Sequence, residues 1–401
     1  MQLDCLKGYT ILLNAHYIPG PLAAWFLRNL GARVIKIEPP GGDLFRHVPP
    51  FFTGPGGRIS AYFRALNAGF ESISVNLKEP EGVAVFEKLL QVSHVYIDGN
   101  RPGFLQKLIG KTATEINPEL ISVPISAFGL SGPCHLQAGH DGNCMAMAGT
   151  LSHNGDSERG ISSPTGIQAV DITAGLIAAC TAMGMLLGRR NPQSTARPAV
   201  FDGSMLDAAV LLNQIYVSKF SADANEMQPG REWLNGGRGY YATYQTADGR
   251  AVFFGAIEDK LFQNFTEKIE RSDLLEIRRQ SEQNPALLLD ELKILFASRS
   301  LSEWEEALRD CDCCFTPVRS VGEAFAEPQI QHRGMIREIN DSAWGNMHQI
   351  CYPGLFDSKN IDPSNEAPAI GQHTNSILAE TGHTPSQIQD LLKSKVVRAS
   401  A

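Results

Sequence analysis

The first forty residues alternate between short β-prone runs and one amphipathic helix, and this alternation constrains the fold most. Residues 9–13 (YTILL) and 34–38 (VIKIE) are rich in branched and aliphatic side chains, as buried strands are. Between them, 19–21 (PGP) breaks the chain, and 22–30 has apolar residues at helical spacing up to Gly31, which suits a helix C-cap. A strand–helix–strand unit predicts the start of a doubly wound parallel sheet.

The same pattern continues through the first half of the chain. Residues 72–77 alternate like a strand, 81–90 have helical spacing, and 94–98 and 120–125 are further β-prone runs. Two long helices rich in Ala and Leu are predicted near 172–188 and 204–220. The fold class is therefore α/β, with a doubly wound large domain.

From Tyr240 the character of the sequence changes. An Asp248-Gly249 turn between two β-prone runs predicts a hairpin, and charged helical segments follow over 259–310. The tail returns to loops rich in Pro and Gly, with one last helix near 385–393. We predict a large domain over 1–225, a smaller α+β domain over 226–330, and a segment over 331–401 that returns to the large domain.

Charge and cysteine content exclude several classes of protein. A net charge of -8 argues against a nucleic-acid surface, which needs clustered Lys and Arg. Eight cysteines in 401 residues are too sparse for a disulfide framework, and the cluster at 311–314 lacks the second half of a zinc site, so we predict no metal. No signal peptide is visible, and the apolar stretch 172–188 is short for a membrane span. We therefore expect a soluble, cytoplasmic protein.

An ordered series of short motifs resembles the family III CoA-transferases (the CaiB/BaiF type). The motifs are Gly20-Pro21, residues 30–43 (LGARVIKIEPPGGD), 100–103 (NRPG), 128–133 (FGLSGP) and 371–378 (GQHTNSIL). Each is weak alone, but their order spans almost the whole chain. The resemblance implies a Rossmann-like large domain, a smaller α+β domain, and a homodimer of interlocked chains.

Three segments are similar to the α-methylacyl-CoA racemase branch of that family. They are 138–143 (AGHDGN), 237–249 together with 255–258 (GAIE), and 312–318 (DCCFTPV). Transferases of the family typically carry a Gly-rich loop at 255–258 and lack the histidine. Both branches place an aspartate where Asp171 stands. It is the nucleophile in transferases and an acid/base group in racemases.

Inversion of the α-carbon of an acyl thioester requires two acid/base groups on opposite faces of that carbon. The resemblance implies that His140, supported by Glu258, serves one face and that Asp171 serves the other. The developing oxyanion needs fixed donors, and backbone N–H groups of 139–143 are candidates. No cofactor is implied, since CoA would be part of the substrate.

The same residues have ordinary structural interpretations. A lone histidine in a Gly-rich loop is more often structural, and an aspartate before an apolar helix is usually an N-cap. Glu258 alone would be a solvated turn residue or a cap. Only the family context favours the catalytic interpretation of these three residues.

The resemblance also suggests residues that contact CoA or the acyl group. We list as binding candidates Lys36, Arg46, Asn100, Arg101, Gly139, Asp141, Asn143 and Cys144. A solvated surface role is the alternative for each basic residue.

Some positions depart from the family pattern. Where a basic stretch is usual before the third strand, the chain has 67–72 (NAGFES) with Glu71, and Cys144 stands where racemases often carry Tyr. The hypothesis that follows is a different acyl carrier, such as a carrier protein, or a substrate without CoA. The leading function remains a racemase or epimerase of a 2-methylacyl-CoA-like thioester that acts by 1,1-proton transfer. The alternatives are a CoA-transferase with Asp171 as nucleophile, or enolate cyclisation or condensation on a specialised metabolite. A non-catalytic binding module is the remaining possibility.

Overall fold

The computed structural model describes residues 2–55, 57–156, 158, 160–161, 166–195, 197–361 and 366–400. The chain forms two compact units. Unit 1 comprises 1–144, 168–211 and 327–401, and unit 2 comprises 145–167 and 212–326. The sequence placed the limits of the smaller domain at 226 and 330.

The strands, numbered in chain order, are mostly short. They are β1 Thr10–Asn14, β2 Arg33–Glu38, β3 Phe51–Gly54, β4 Gly57–Ser60, β5 Glu71–Val75, β6 Val95–Asp98, β7 Ile121–Ser126, β8 Gly155–Asp156, β9 Gly160–Ile161, β10 Gly203–Ser204, β11 Ala242–Gln245, β12 Ala251–Phe254, β13 Phe315–Pro317, β14 Ile336–Asp341, β15 Gly345–Ile350 and β16 Val397–Arg398.

The α-helices are numbered in the same way. They are α1 Pro19–Asn29, α2 Ala61–Asn67, α3 Pro80–Val92, α4 Phe104–Ile109, α5 Ala113–Ile116, α6 Asp141–Met147, α7 Ala169–Arg190, α8 Met205–Leu212, α9 Gln214–Asp223, α10 Asp259–Lys268, α11 Asp273–Ser281, α12 Ala286–Phe296, α13 Leu301–Ala307, α14 Val321–Ala326, α15 Pro328–Arg333, α16 Thr374–Glu380 and α17 Pro385–Lys393. Short 3-10 helices occur at Leu44–His47 and Thr150–His153.

The central sheet of unit 1 has the order β10-β7-β6-β1-β2-β5-β16. Its pairings are parallel except for β16, which is antiparallel to β5. The predicted mixed α/β fold with a mainly parallel sheet is therefore confirmed. The chain order reverses between β1 and β6, which is where a crevice opens at the carboxyl ends of the strands in such sheets.

Helices cover both faces of this sheet. Successive residues of a strand point to opposite faces of the sheet, so two neighbouring residues of β1 show what packs on each face. Leu12 is buried in one cluster with Phe86 of α3 and Ile377 of α16. Leu13 points to the other face, toward Gly20 of α1. A Cβ on Gly20 would lie 3.6 Å from the Leu13 Cδ1. Helices thus cover both faces of the sheet.

The predicted strands and helices of the first half lie within a few residues of the observed elements. The predicted helix over 204–220 is instead two helices, because the backbone leaves helical geometry at Asn213 (φ -92°, ψ 8°) between α8 and α9. The tail also contains a hairpin, β14–β15, where loops were predicted.

Unit 2 contains the predicted hairpin. β11 pairs antiparallel with β12, which pairs with β13, and Gly249 in the turn has φ 73°. Phe254, Phe262, Phe265 and Phe296 pack together beneath this sheet. Within the described residues, no group of three or more His, Cys, Asp and Glu side chains is arranged to hold a metal ion.

Helix α7 is long and apolar enough to cross a membrane, and it is the one such helix in the described part of the chain. The core helix of a globular protein meets the same criteria. α7 packs on α1, where Gly175 faces the Pro19 carbonyl oxygen and the Leu22 side chain. The sequence favours a buried helix over a membrane span for 172–188; α7 does pack on α1, but Ile172, Leu176 and Leu187 are exposed.

Two glycines of α7 provide a matched pair of stability tests. A Cβ on Gly175 would lie 2.8 Å from the Pro19 oxygen, whereas a Cβ on Gly184 meets nothing within 4 Å. We expect Gly175→Ala to lower the free energy of unfolding by about 1–3 kcal/mol through overpacking. Gly184→Ala should raise it by up to about 1 kcal/mol through helix propensity. Urea denaturation of both variants measures the difference, and equal effects would contradict the α1–α7 packing.

Candidate functional site

The segment at 139–144 and the start of α7 are joined by one carboxylate. The Asp141 Oδ2 accepts hydrogen bonds from the backbone N–H groups of Val170 (2.8 Å) and Asp171 (3.1 Å). These N–H groups lie in the first turn of α7, where no intrahelical acceptor is available. Asp141, the residue after His140, therefore caps α7 with a side chain from outside the helix. The same hydrogen bonds hold Asp171 close to Asp141.

His140 is fixed through its backbone and exposes its ring. Its N–H donates to the Asn143 Oδ1 (3.0 Å), and its carbonyl accepts from the N–H groups of Asn143 and Cys144. The Asn143 amide, one of the predicted oxyanion donors, is therefore engaged at the start of α6 in this conformation. The exposed imidazole lies edge-to-face with Tyr17, at 6.2 Å between ring centroids.

Asp171 has a strongly altered acidity. Burial, and then the negative charge of Asp141, raise the pKa of Asp171 to about 7. Both effects disfavour the carboxylate form. A carboxyl group with a pKa near 7 is present in both protonation states at neutral pH, which suits a group that accepts and donates a proton.

Two further predicted site residues are packed inside unit 1. Cys144 is fully buried with its Sγ 3.4 Å from the Ala127 oxygen, so its side chain is not open to a ligand here. Burial, followed by the charges of Asp171 and Asp141, raises the pKa of the Cys144 thiol to about 12. A Cβ on Gly139 would lie 2.9 Å from the Ala127 Cβ, so this close approach requires glycine.

Glu258 belongs to unit 2. It is exposed and immediately precedes α10, where its side chain makes no capping hydrogen bond. Its charge contributes to a raised pKa of the Cys314 thiol, after the larger effect of burial.

A crevice of about 560 Å³ opens at the carboxyl ends of β1, β2, β5 and β6 in unit 1. Such crevices bind nucleotide-like ligands in parallel α/β sheets. Among the lining residues are Asn14, His16, Asn76, Lys78, Asn100 and Phe104. Of these, only Asn100 was predicted from the sequence. Position at the end of the predicted strand 72–77, or just after it, is a signal that identifies Asn76 and Lys78 as well.

Asn100 is held in place by a buried carboxylate. The Asp98 Oδ1 accepts from the Asn100 backbone N–H (2.9 Å) and from its Nδ2 (2.7 Å), and the same Nδ2 reaches the Asn14 oxygen (3.3 Å). Burial raises the pKa of Asp98 to about 6. Arg101, next in sequence, is exposed and does not line the crevice.

Lys36 and Arg46 belong to an internal ion-pair network. Lys36 is 0% exposed, with its Nζ 2.6 Å from the Asp43 Oδ2 and 2.8 Å from the Ala15 oxygen. Arg46 makes two hydrogen bonds of 2.7 Å to Glu38. The Lys36 ammonium is thus paired and sealed from solvent in this conformation, and its contact with CoA stays a prediction. Arg46 lines a separate cavity with Arg58 and Arg398.

The unusual Glu71 does not lie at the crevice. It begins β5 at the amino end of the strand and pairs with Arg33 at 2.6 Å. Val75 at the other end of β5 lines the crevice, about 13 Å away along the strand. Glu71 therefore adds no negative charge at the crevice, whereas Lys78 places a positive charge there.

The chain belongs to CoA-transferase family III, whose model matches residues 6–374. It is 28% identical to the alpha-methylacyl-CoA racemase of Homo sapiens, over 98% of both chains. It is 29% identical to the succinyl-CoA:glutarate CoA-transferase of Mus musculus, over 99% of this chain and 92% of that one.

A solved structure shares the fold. The crystal structure of a CAIB/BAIF family protein from Brucella suis superposes with a TM-score of 0.81 at 25% identity, covering 95% of this chain and 100% of that one. Racemase and transferase relatives are equally similar to the chain. The residues of the site must therefore distinguish between the two reactions.

Proposed function

We propose that the protein is a racemase or epimerase of an α-substituted acyl-CoA, acting by 1,1-proton transfer. One of the pair His140 and Asp171 removes the C2 proton, and the enolate charge moves to the thioester carbonyl oxygen. The other returns a proton to the opposite face of C2. The observation that carries the proposal is that the Asp141 carboxylate, next to His140, binds the Val170 and Asp171 N–H groups and so holds Asp171 close to the His140 segment. Burial and the charge of Asp141 raise the pKa of Asp171 to about 7, which suits a group that exchanges a proton.

A neutral fraction of Asp171 favours proton transfer over nucleophilic attack. A transferase needs the carboxylate as nucleophile, and the charge of Asp141 opposes that form. A racemase needs a group that exchanges roles, for which a pKa near the working pH is best. Glu258 enters the proposal as the carboxylate partner of His140 on the strength of the family resemblance alone.

Incubation of one enantiomer of a 2-methylacyl-CoA with the enzyme, without any acceptor acid, tests the proposal. We expect the other enantiomer to form. Hydrolysis of the thioesters and chiral chromatography of the free acids measure its formation. The transferase relatives support a second candidate function, with Asp171 forming a covalent acyl intermediate. No inversion, together with transfer of CoA to an added acid and an acyl adduct on Asp171 that hydroxylamine cleaves, would contradict the racemase and support that candidate.

We propose that the crevice holds the nucleotide part of CoA, with Lys78 near its phosphates. Lys78→Met is expected to raise KM about tenfold with kcat nearly unchanged, because an exposed charge contributes to binding rather than to chemistry. Lys107→Met, on α4 but not lining the crevice, is the control. Steady-state kinetics measures both, and an unchanged KM in the Lys78 variant would place the CoA elsewhere.

A further inference from the structure

Tyr17 is a strained residue in the loop between β1 and α1. Its φ is 61°, in the left-handed region that a bulky side chain rarely adopts. Such a conformation has an energetic cost and persists only where the surrounding structure enforces it. The loop is tightly packed, since a Cβ on Gly20 or Gly99 would lie 2.4 Å or 2.7 Å from the Ala15 Cβ.

The strain is not compensated by burial of the ring. Tyr17 is 40% exposed, so the ring is not a core side chain. It lies edge-to-face with His140, at 6.2 Å between centroids and an interplanar angle of 89°. On the other side it lies edge-to-face with Phe45 at 5.3 Å, and Phe45 stacks on Tyr62. Tyr62, Phe45 and Tyr17 thus form a row of ring contacts that ends at the His140 imidazole.

We infer that Tyr17 is a positioning residue that fixes the plane of the His140 imidazole. This role rests on the proposed function, in which His140 transfers a proton at C2. An imidazole nitrogen accepts a proton in the plane of its ring, so the orientation of that plane determines whether the C2 proton is in line. The perpendicular Tyr17 ring, itself buttressed by Phe45, restricts rotation of an imidazole that is otherwise exposed.

Three substitutions separate this role from a structural one. Tyr17→Leu removes the aromatic ring but keeps the strain, Tyr17→Gly removes both, and Tyr17→Phe keeps the ring. For α-proton exchange we expect the Leu and Gly variants to lose about 10- to 100-fold in kcat with little change in KM, as misorientation of a reacting group does. The Phe variant should restore most of the lost rate. The Gly variant should also melt at a higher temperature than the wild type, because the strain is gone.

Ala224→Gly is the matched control. Ala224 has φ 55° at the end of α9 in unit 2, so this change also relieves strain. We expect a raised melting temperature with wild-type kcat. A Tyr17→Gly variant that melts lower than the wild type, or a Tyr17→Leu variant with wild-type kcat, would overturn the inference.

A second measurement does not depend on the reaction. The ¹⁵N NMR spectrum of the histidine rings reports tautomer and titration, and His140→Gln identifies the His140 signals. We expect the Leu and Gly variants at Tyr17 to change these signals and the Phe variant to preserve them. Unchanged His140 signals in all three variants would overturn the positioning role. If the wild type fails to invert a 2-methylacyl-CoA while these signals change, the proposed function fails and the Tyr17 contact stands.

Discussion

Replacing His140 by glutamine or Asp171 by asparagine is expected to reduce α-proton exchange by about 10³-fold or more. Each change keeps the size of the side chain but removes a group that accepts or donates the proton, an effect typically of 10²–10⁴. Because both groups act in one turnover, the double variant should lose little more than either single variant. Mass spectrometry of the recovered thioester from deuterated water measures the exchange.

The stability of the Asp171→Asn variant distinguishes this loss from misfolding. Asp171 has a raised pKa of about 7 in the folded chain, so the folded state binds its proton more tightly than the unfolded state does between about pH 4 and 7. The carboxyl group therefore costs stability as the pH rises through this window. We expect Asp171→Asn to be more stable than the wild type by roughly 2 kcal/mol at pH 8 and equally stable at pH 4. An inactive variant that is less stable at both pH values would not support a direct role.

The second large effect is expected at Asp141. Asp141→Asn retains an oxygen that can accept from the Val170 and Asp171 N–H groups but removes the negative charge that raises the Asp171 pKa. The Asp171 pKa should therefore fall. In the direction in which Asp171 donates the proton, the rate decreases as the pH rises through this pKa. The alkaline limb of the pH–rate profile should therefore move to lower pH. Asp141→Ala also loses both hydrogen bonds, and we expect a decrease of about 10²-fold in kcat from misplacement of Asp171.

The pH dependence of kcat for each enantiomer, measured in the wild type and in Asp141→Asn, tests this account. Asp207→Asn, an exposed acidic residue in the first turn of α8, is a suitable control. An alkaline limb that stays in place, or moves to higher pH, would show that Asp141 does not influence the proton donor.

The central sheet could be predicted because its signal is local. Strands such as 34–38 and helices such as 81–90 are continuous apolar or periodic runs between Pro and Gly breaks, and the observed β2 and α3 match them closely. The β14–β15 hairpin has mainly polar residues with only Ile339 and Met347 deeply buried among its apolar side chains, so its alternation is weak. The break falls on Asn213-Gln214 within a run of helical apolar spacing, and an Asn-Gln pair does not by itself end a helix.

The site was predicted from motifs, whereas its electrostatics depend on contacts distant in sequence. Asp141 and Asp171 are 30 residues apart, and nothing in the spacing indicates that one would cap the helix of the other. The resemblance suggested Lys36 as a binding residue, although it stands between two isoleucines in the predicted strand VIKIE. Strands of a parallel sheet are covered on both faces, so a charge within one must be paired internally, as Lys36 is with Asp43. Tyr17 could not be identified, because a left-handed φ on a tyrosine has no sequence signature.

Deuterium incorporation at C2 tests the central claim most directly. One enantiomer of a 2-methylacyl-CoA is incubated with the wild-type protein in deuterated water. Both enantiomers are then recovered, and mass spectrometry measures the deuterium content of each. Proton transfer through an enolate predicts one deuterium at C2 of the inverted product, and loss of this label in the His140→Gln and Asp171→Asn variants. Inversion without deuterium, or an unlabelled substrate returned while CoA passes to an added acid, would contradict it.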